Sequence, residues 1–174
     1  SVINHTSSGT SSINISGTNS VGIFADKSII NQTGNINLIG ANSVGIYGRS
    51  GTEIVGGGTI NLNTSSQNQA AYYIEGNSGP SYDGTKLTGS LGSINGYGVG
   101  VYVKDAEIDN TWVTLDMTTG TNTGNGIIAV ALVDSVRLST SRYVNHSDIP
   151  NSKFIDTEYN STCLVSLCDI PIDS

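Results

Sequence analysis

Basic residues are scarce in this chain: 7 Lys and Arg stand against 14 Asp and Glu over 174 residues, a formal net charge of −7. A nucleic-acid-binding domain ordinarily carries a clustered basic stripe, and an anionic lipid surface repels an acidic chain, so neither partner is expected. No apolar run approaches the ~18 residues of a membrane-spanning helix, and this segment is not expected to insert into a bilayer. Helical periodicity is missing as well. Nowhere do apolar residues hold the i, i+3, i+4, i+7 spacing, and glycine, 22 in all, falls inside every candidate segment, where it opposes helix. No glycine-rich stretch opens a helix, so GGGT at 56–59 is a tight corner and not a phosphate cradle. Initiator Met and signal peptide are missing too, and Ser1 is expected to be a processed or trimmed start. Cysteine is limited to Cys163 and Cys168, separated by four residues. Without a nearby His pair they make a poor zinc site. A short-loop disulfide suits an extracellular chain, with two reduced thiols as the alternative.

What the chain has is a repeat. Residues 13–24, INISGTNSVGIF, return 23 positions later as INLIGANSVGIY, residues 36–47, with eight of twelve positions identical. Such a copy is one coil of a solenoid, unable to bury its apolar face alone. Within each coil the apolar residues alternate in short clusters, the mark of strands with one buried face: Ile13/Ile15, Val21/Ile23 and Ile29, then Ile36/Leu38, Val44/Ile46 and Ile54. Three strands per turn predict an all-β fold, a three-sided parallel β-helix of about five coils of ~23 residues. Ile60/Leu62 open the third coil, Leu91 the fourth, and Val113, Leu115 and Met117 the fifth. The third is overlong, which places an inserted loop at residues 77–90; a smaller insertion falls at 118–126. Coils are expected over 1–138. Residues 139–174 form a non-repetitive segment that caps the last coil or extends to a neighbour.

The outward positions carry the candidate chemistry. Asn14 and Asn37 should stack as an Asn ladder, and Asn19 and Asn42 mark bends tolerant of left-handed backbone. Phe24, Tyr47, Tyr73 and Tyr102 close equivalent clusters and should stack as an aromatic ladder, either a structural spine or a sugar-binding track. Tyr82 and Tyr97 flank the inserted loop and are candidate glycan contacts. Asp105, Glu107 and Asp109 should share one outer strand face, where three successive carboxylates favour Ca2+. No other cofactor is expected. Acidic strand faces with calcium also serve β-helix lyases, but that chemistry needs a basic proton acceptor, and Lys104 should point the other way. Glu53, Glu75, Asp83 and Asp116 offer no spacing that selects a glycosidase pair. His5 and His146 lie in unrelated polar contexts.

The NSVGIF and NSVGIY coils, with the GTINL opening at residues 58–62, resemble the β-helix repeats of large autotransporter adhesins, particularly those of fusobacteria. The resemblance covers residues 12–62 well, 91–138 loosely and the last 35 residues not at all. It implies a surface-exposed passenger stalk, secreted through an outer-membrane barrel and working in adhesion, and it carries no catalytic residues. The expected function is therefore a non-enzymatic extracellular adhesin segment, with a host glycan or surface protein as partner. The alternatives are a filament subunit whose open β-helix ends stack on neighbouring copies, and a polysaccharide-active enzyme of lyase type.

Overall fold

The computed structural model describes the backbone of residues 1–6, 12–63, 68–77, 83–88, 93–96, 98–109, 112–116, 128–133, 136–137, 142–145, 153–158 and 162–163, and the side chains of those up to residue 106. Every element among them is a strand. After β1 (Val2–His5), the first coil consists of β2 (Ser12–Ile15), β3 (Val21–Asp26) and β4 (Ile29–Gln32). The second is β5 (Asn35–Leu38), β6 (Val44–Arg49) and β7 (Glu53–Val55), and the third is β8 (Thr59–Asn61), β9 (Ala70–Glu75) and β10 (Lys86–Thr88). The fourth is β11 (Ser93–Asn95), β12 (Val99–Lys104) and β13 (Glu107–Asp109). The fifth is β14 (Trp112–Asp116), β15 (Ile128–Val133) and β16 (Val136–Arg137); the sixth is β17 (Arg142–Asn145), β18 (Lys153–Glu158) and β19 (Thr162–Cys163).

These strands form three parallel sheets: sheet A runs β1-β4-β7-β10-β13-β16-β19, sheet B β2-β5-β8-β11-β14-β17, and sheet C β3-β6-β9-β12-β15-β18. The molecule is a three-sided parallel β-solenoid. Its core is a set of vertical columns, one inward side chain per coil. Ile30, Ile54 and Leu87 stack in sheet A, Ile36, Ile60 and Ile94 in sheet B, and Ile46, Tyr72 and Val101 in sheet C. All nine are fully buried, and each aliphatic member contributes about 1.5–3 kcal/mol by leaving water. Branched Ile and Val suit the pleat, which is why the columns are built from them.

Polar side chains hold the corners between sheets. Asn19, Asn42 and Asn68 all take left-handed backbone at the B-to-C corner, with φ of 53, 54 and 52°, a conformation Asn tolerates better than most residues. Buried Ser43 donates to Gly17 O at 3.0 Å, and buried Gln69 donates to Gly40 O at 2.6 Å and accepts from Asn63 N at 2.7 Å. At the C-to-A corner, buried Thr52 donates to Arg49 O at 2.7 Å, and Thr85 accepts from Gly51 N at 2.7 Å. Corner amides and carbonyls that would otherwise be orphaned are thereby paired.

Several sequence expectations change in detail. The fourth sheet-B strand centres on Ile94, in register with Ile60, and not on Leu91, because this corner is three residues shorter than an eight-residue offset assumes. The expected loop at 77–90 ends earlier: Lys86–Thr88 is a strand between β7 and β13, and Leu87 is fully buried. Ten residues remain between β9 and β10. Parallel pairing also runs past Ser139, through β17, β18 and β19, so the described strands make six coils and the ladder does not stop where the sequence repeat does. The insertion expected at 118–126 lies outside the described residues.

Candidate functional site

Each outer sheet face repeats one theme from coil to coil. On sheet B, Asn37 donates to Asn14 Oδ1 at 2.8 Å, Asn61 to Asn37 at 2.8 Å, and Asn95 to Asn61 at 2.7 Å. The expected ladder therefore exists and is two rungs longer than the pair that announced it. A second one starts on sheet A, where Asn31 donates to Asn4 Oδ1 at 2.7 Å.

Sheet C carries the aromatic spine. Phe24, Tyr47, Tyr73 and Tyr102 share one register position, with successive ring centroids 5.3, 4.8 and 4.7 Å apart. The first two contacts are edge-to-face, at 71° and 79°, and the last is stacked at 12°. Such geometry places ring faces against other rings. The spine thus braces neighbouring coils against one another, and its first ring, Phe24, stays 48% exposed.

Two residues after each ring comes a charge: Asp26, Arg49, Glu75 and Lys104, again one register position. Arg49 Nε lies 3.0 Å from Asp26 and Lys104 Nζ lies 3.2 Å from Glu75. Arg49 also sits over Phe24, 5.1 Å from the ring centroid, a cation–π contact. The Tyr47 hydroxyl donates to Glu75 at 2.6 Å. That hydrogen bond, followed by Lys104, holds the Glu75 carboxyl below the usual carboxylate range. The reciprocal bond and ion pair to Glu75 raise the Lys104 ammonium. Glu75 is thus held as an anion and is poorly suited to donate a proton. This file was not anticipated, although FAD, YGR, YIE and YVK at 24–26, 47–49, 73–75 and 102–104 announce it.

Burial and the bond to Glu75 push the Tyr47 phenol up to about 12 from 10.0. A raised acid favours the folded state fully below the unfolded value, and the gain is lost as pH rises through the folded one. A spectrophotometric titration at 295 nm should therefore find Tyr47 still neutral at pH 11. Glu75→Gln should bring its ionisation down toward the ordinary value; an unchanged midpoint in that variant would mean that the bond to Glu75 does not form.

The expected acidic face is not assembled. Asp105 has a φ of 49° and occupies the corner between β12 and β13, the position of Lys27 and Ser50 in earlier coils. Glu107 and Asp109 lie beyond that corner on β13, so the three carboxylates do not follow one another along one strand face. Among the described residues no group of three His, Cys, Asp or Glu side chains converges as metal ligands would. The register instead sets Lys86 between Glu53 and Glu107, with Lys86 Nζ 3.7 Å from Glu53. Tyr82 and Tyr97, the expected glycan contacts, lie outside the described residues, as do Cys168 and the expected disulfide; Cys163 pairs with Arg137 in the backbone register. His5 meets buried Gln32 at 2.6 Å and belongs to the packing of the first coil. Asp83 anchors the base of the C-to-A excursion, accepting from Thr85 Oγ1 at 2.6 Å and Asn77 N at 3.2 Å.

No protein-family model, curated protein or solved structure matches this chain. Its function has to be argued from these surfaces.

Proposed function

We propose that the chain is a non-enzymatic segment of a bacterial surface adhesin, a β-helical stalk that mediates attachment outside the cell. The observation that carries the reading is that many of the described outward side chains contact one another from coil to coil: amide on amide, ring on ring, acid on base. A surface of that kind stiffens a rod along its axis, since bending must break many small contacts at once. Among the described side chains, the acids Asp26, Glu53 and Glu75 are each paired with a base rather than set opposite a proton acceptor as a lyase requires. The NSVGIF and NSVGIY coils supply the adhesin setting by resemblance.

The alternative reading is a subunit of an extracellular filament that stacks on neighbouring copies through open β-helix ends. Beads coated with the chain should adhere to glycan-bearing epithelial cells above the level of beads coated with an unrelated acidic protein. Calcium-dependent cleavage of polygalacturonate, or bead retention no greater than the control, would reject the proposal.

A further inference from the structure

Sheet B differs from the other two faces in one respect. Over its first four coils the outward positions of β2, β5, β8 and β11 hold no charged residue. Among the described side chains, Asp26, Arg49, Glu75 and Lys104 lie on sheet C, and Glu53 and Lys86 on sheet A. In a chain of net charge −7, this leaves a neutral strip along one side. Beside the Asn ladder runs a second column, Ser12, Asn35, Thr59 and Ser93, in register from coil to coil and half-buried as an open sheet face should be.

A side-chain amide has two N–H donors and two acceptor lone pairs. In the ladder, Asn61 commits one donor to Asn37 and one lone pair to Asn95, so a donor and an acceptor remain for a ligand. Asn37, by contrast, commits both donors, to Asn14 and to Ser12, so the open groups are those of Asn61 together with the second column, which stands ~7 Å to the side. The result is a flat grid of uncharged donors and acceptors without an ionic anchor. Polyuronates, sulfated glycans and nucleic acids gain nothing from such a strip, and the acidic chain repels them. An extended neutral polymer rich in hydroxyls fits it, because each hydroxyl both donates and accepts, and weak contacts repeated along one chain accumulate as avidity.

We propose that the sheet-B face is a binding strip for neutral, linear polysaccharide, laid along the solenoid axis. The proposal rests on the attachment function above and names its ligand class and its face. Affinity electrophoresis of the whole chain through gels containing hydroxyethylcellulose or neutral arabinoxylan tests it, with polygalacturonate as the anionic comparison. Retardation is expected in a neutral polymer and not in polygalacturonate. The double variant Thr59→Glu/Ser93→Glu, which places charge on the strip but leaves the Asn ladder intact, should weaken apparent affinity about tenfold or more by disrupting adjacent contacts. Arg49→Gln on sheet C should leave it unchanged. Thermal melts confirm that both variants fold, and Asn35→Lys provides a second charge insertion should the double variant fail to. No retardation in either neutral polymer, equal retardation in polygalacturonate, or undiminished binding by the charged variants would overturn the proposal. If beads still adhere to cells in that event, the attachment function survives and only the strip is lost; if they do not, both fall.

Discussion

Tyr72→Ala should destabilise the solenoid by about 3–5 kcal/mol, the usual cost of truncating a buried aromatic residue. That is a large share of the roughly 5–15 kcal/mol holding a typical domain together. Tyr72 is fully buried, in a column whose neighbouring members are Ile46 and Val101. Its ring crosses the triangular interior to reach the glycine corner at 56–58, where its hydroxyl donates to Gly57 O at 3.4 Å. Burial pushes the phenol well above its ordinary value, so it stays neutral in the fold. The hydrogen bond is long and therefore weak, and Tyr72→Phe should cost no more than about 1 kcal/mol. Urea denaturation of both variants separates ring from hydroxyl. A Tyr72→Ala loss below about 1 kcal/mol would show that the ring is not the central filler of the third coil.

Gly40→Ala should be comparably severe, for the opposite reason. A Cβ at Gly40 would lie 2.0 Å from Gly17 O and 2.7 Å from Ser16 O. Those atoms are backbone of the preceding coil and cannot rotate away. Coil separation at this corner is fixed by pairing on both sides, with Ile39 N donating to Ile15 O at 2.8 Å and Val44 N to Ser20 O at 2.9 Å. The expected loss is about 3 kcal/mol or more, the upper range for overpacking. Gly84 provides the contrast. Nothing lies within 4 Å of its Cβ position, and its φ is +86°, so Gly84→Ala should carry only the left-handed penalty of about 1–2 kcal/mol. Comparable melting temperatures for the two variants would mean that coils at the Gly17–Gly40 corner can part without cost.

The ladders show how far the sequence could be read. Asn14, Asn37 and the four aromatic residues were legible because each repeats at a fixed place after an inward residue, Ile or Val in every case but Tyr73, which follows Tyr72. The charge file was equally periodic but changes sign at every step, and a search for similar residues passes over it. The acidic run at 105–109 misled because alternation along a sequence was taken for alternation along one strand. A left-handed corner at Asp105 breaks that strand, and Asp is a residue that tolerates such backbone. Leu91 misled in a related way: an eight-residue offset copied from the first two coils was carried into a coil whose corner is shorter.

By itself the sequence determined the solenoid, its three strands per coil and the identity of its first columns. Those follow from short-range alternation and a 23-residue repeat, both local properties of the chain. Only the tertiary structure decided where the long third coil rejoins the stack and that the strand ending at Lys104 turns a corner at Asp105. The stretches between sheet C and sheet A run to two, three, ten and two residues in the first four coils. Counting along the chain therefore loses register at each corner. Pairing between coils restores it, because a slip of one residue would turn the buried Ile and Val columns out to water.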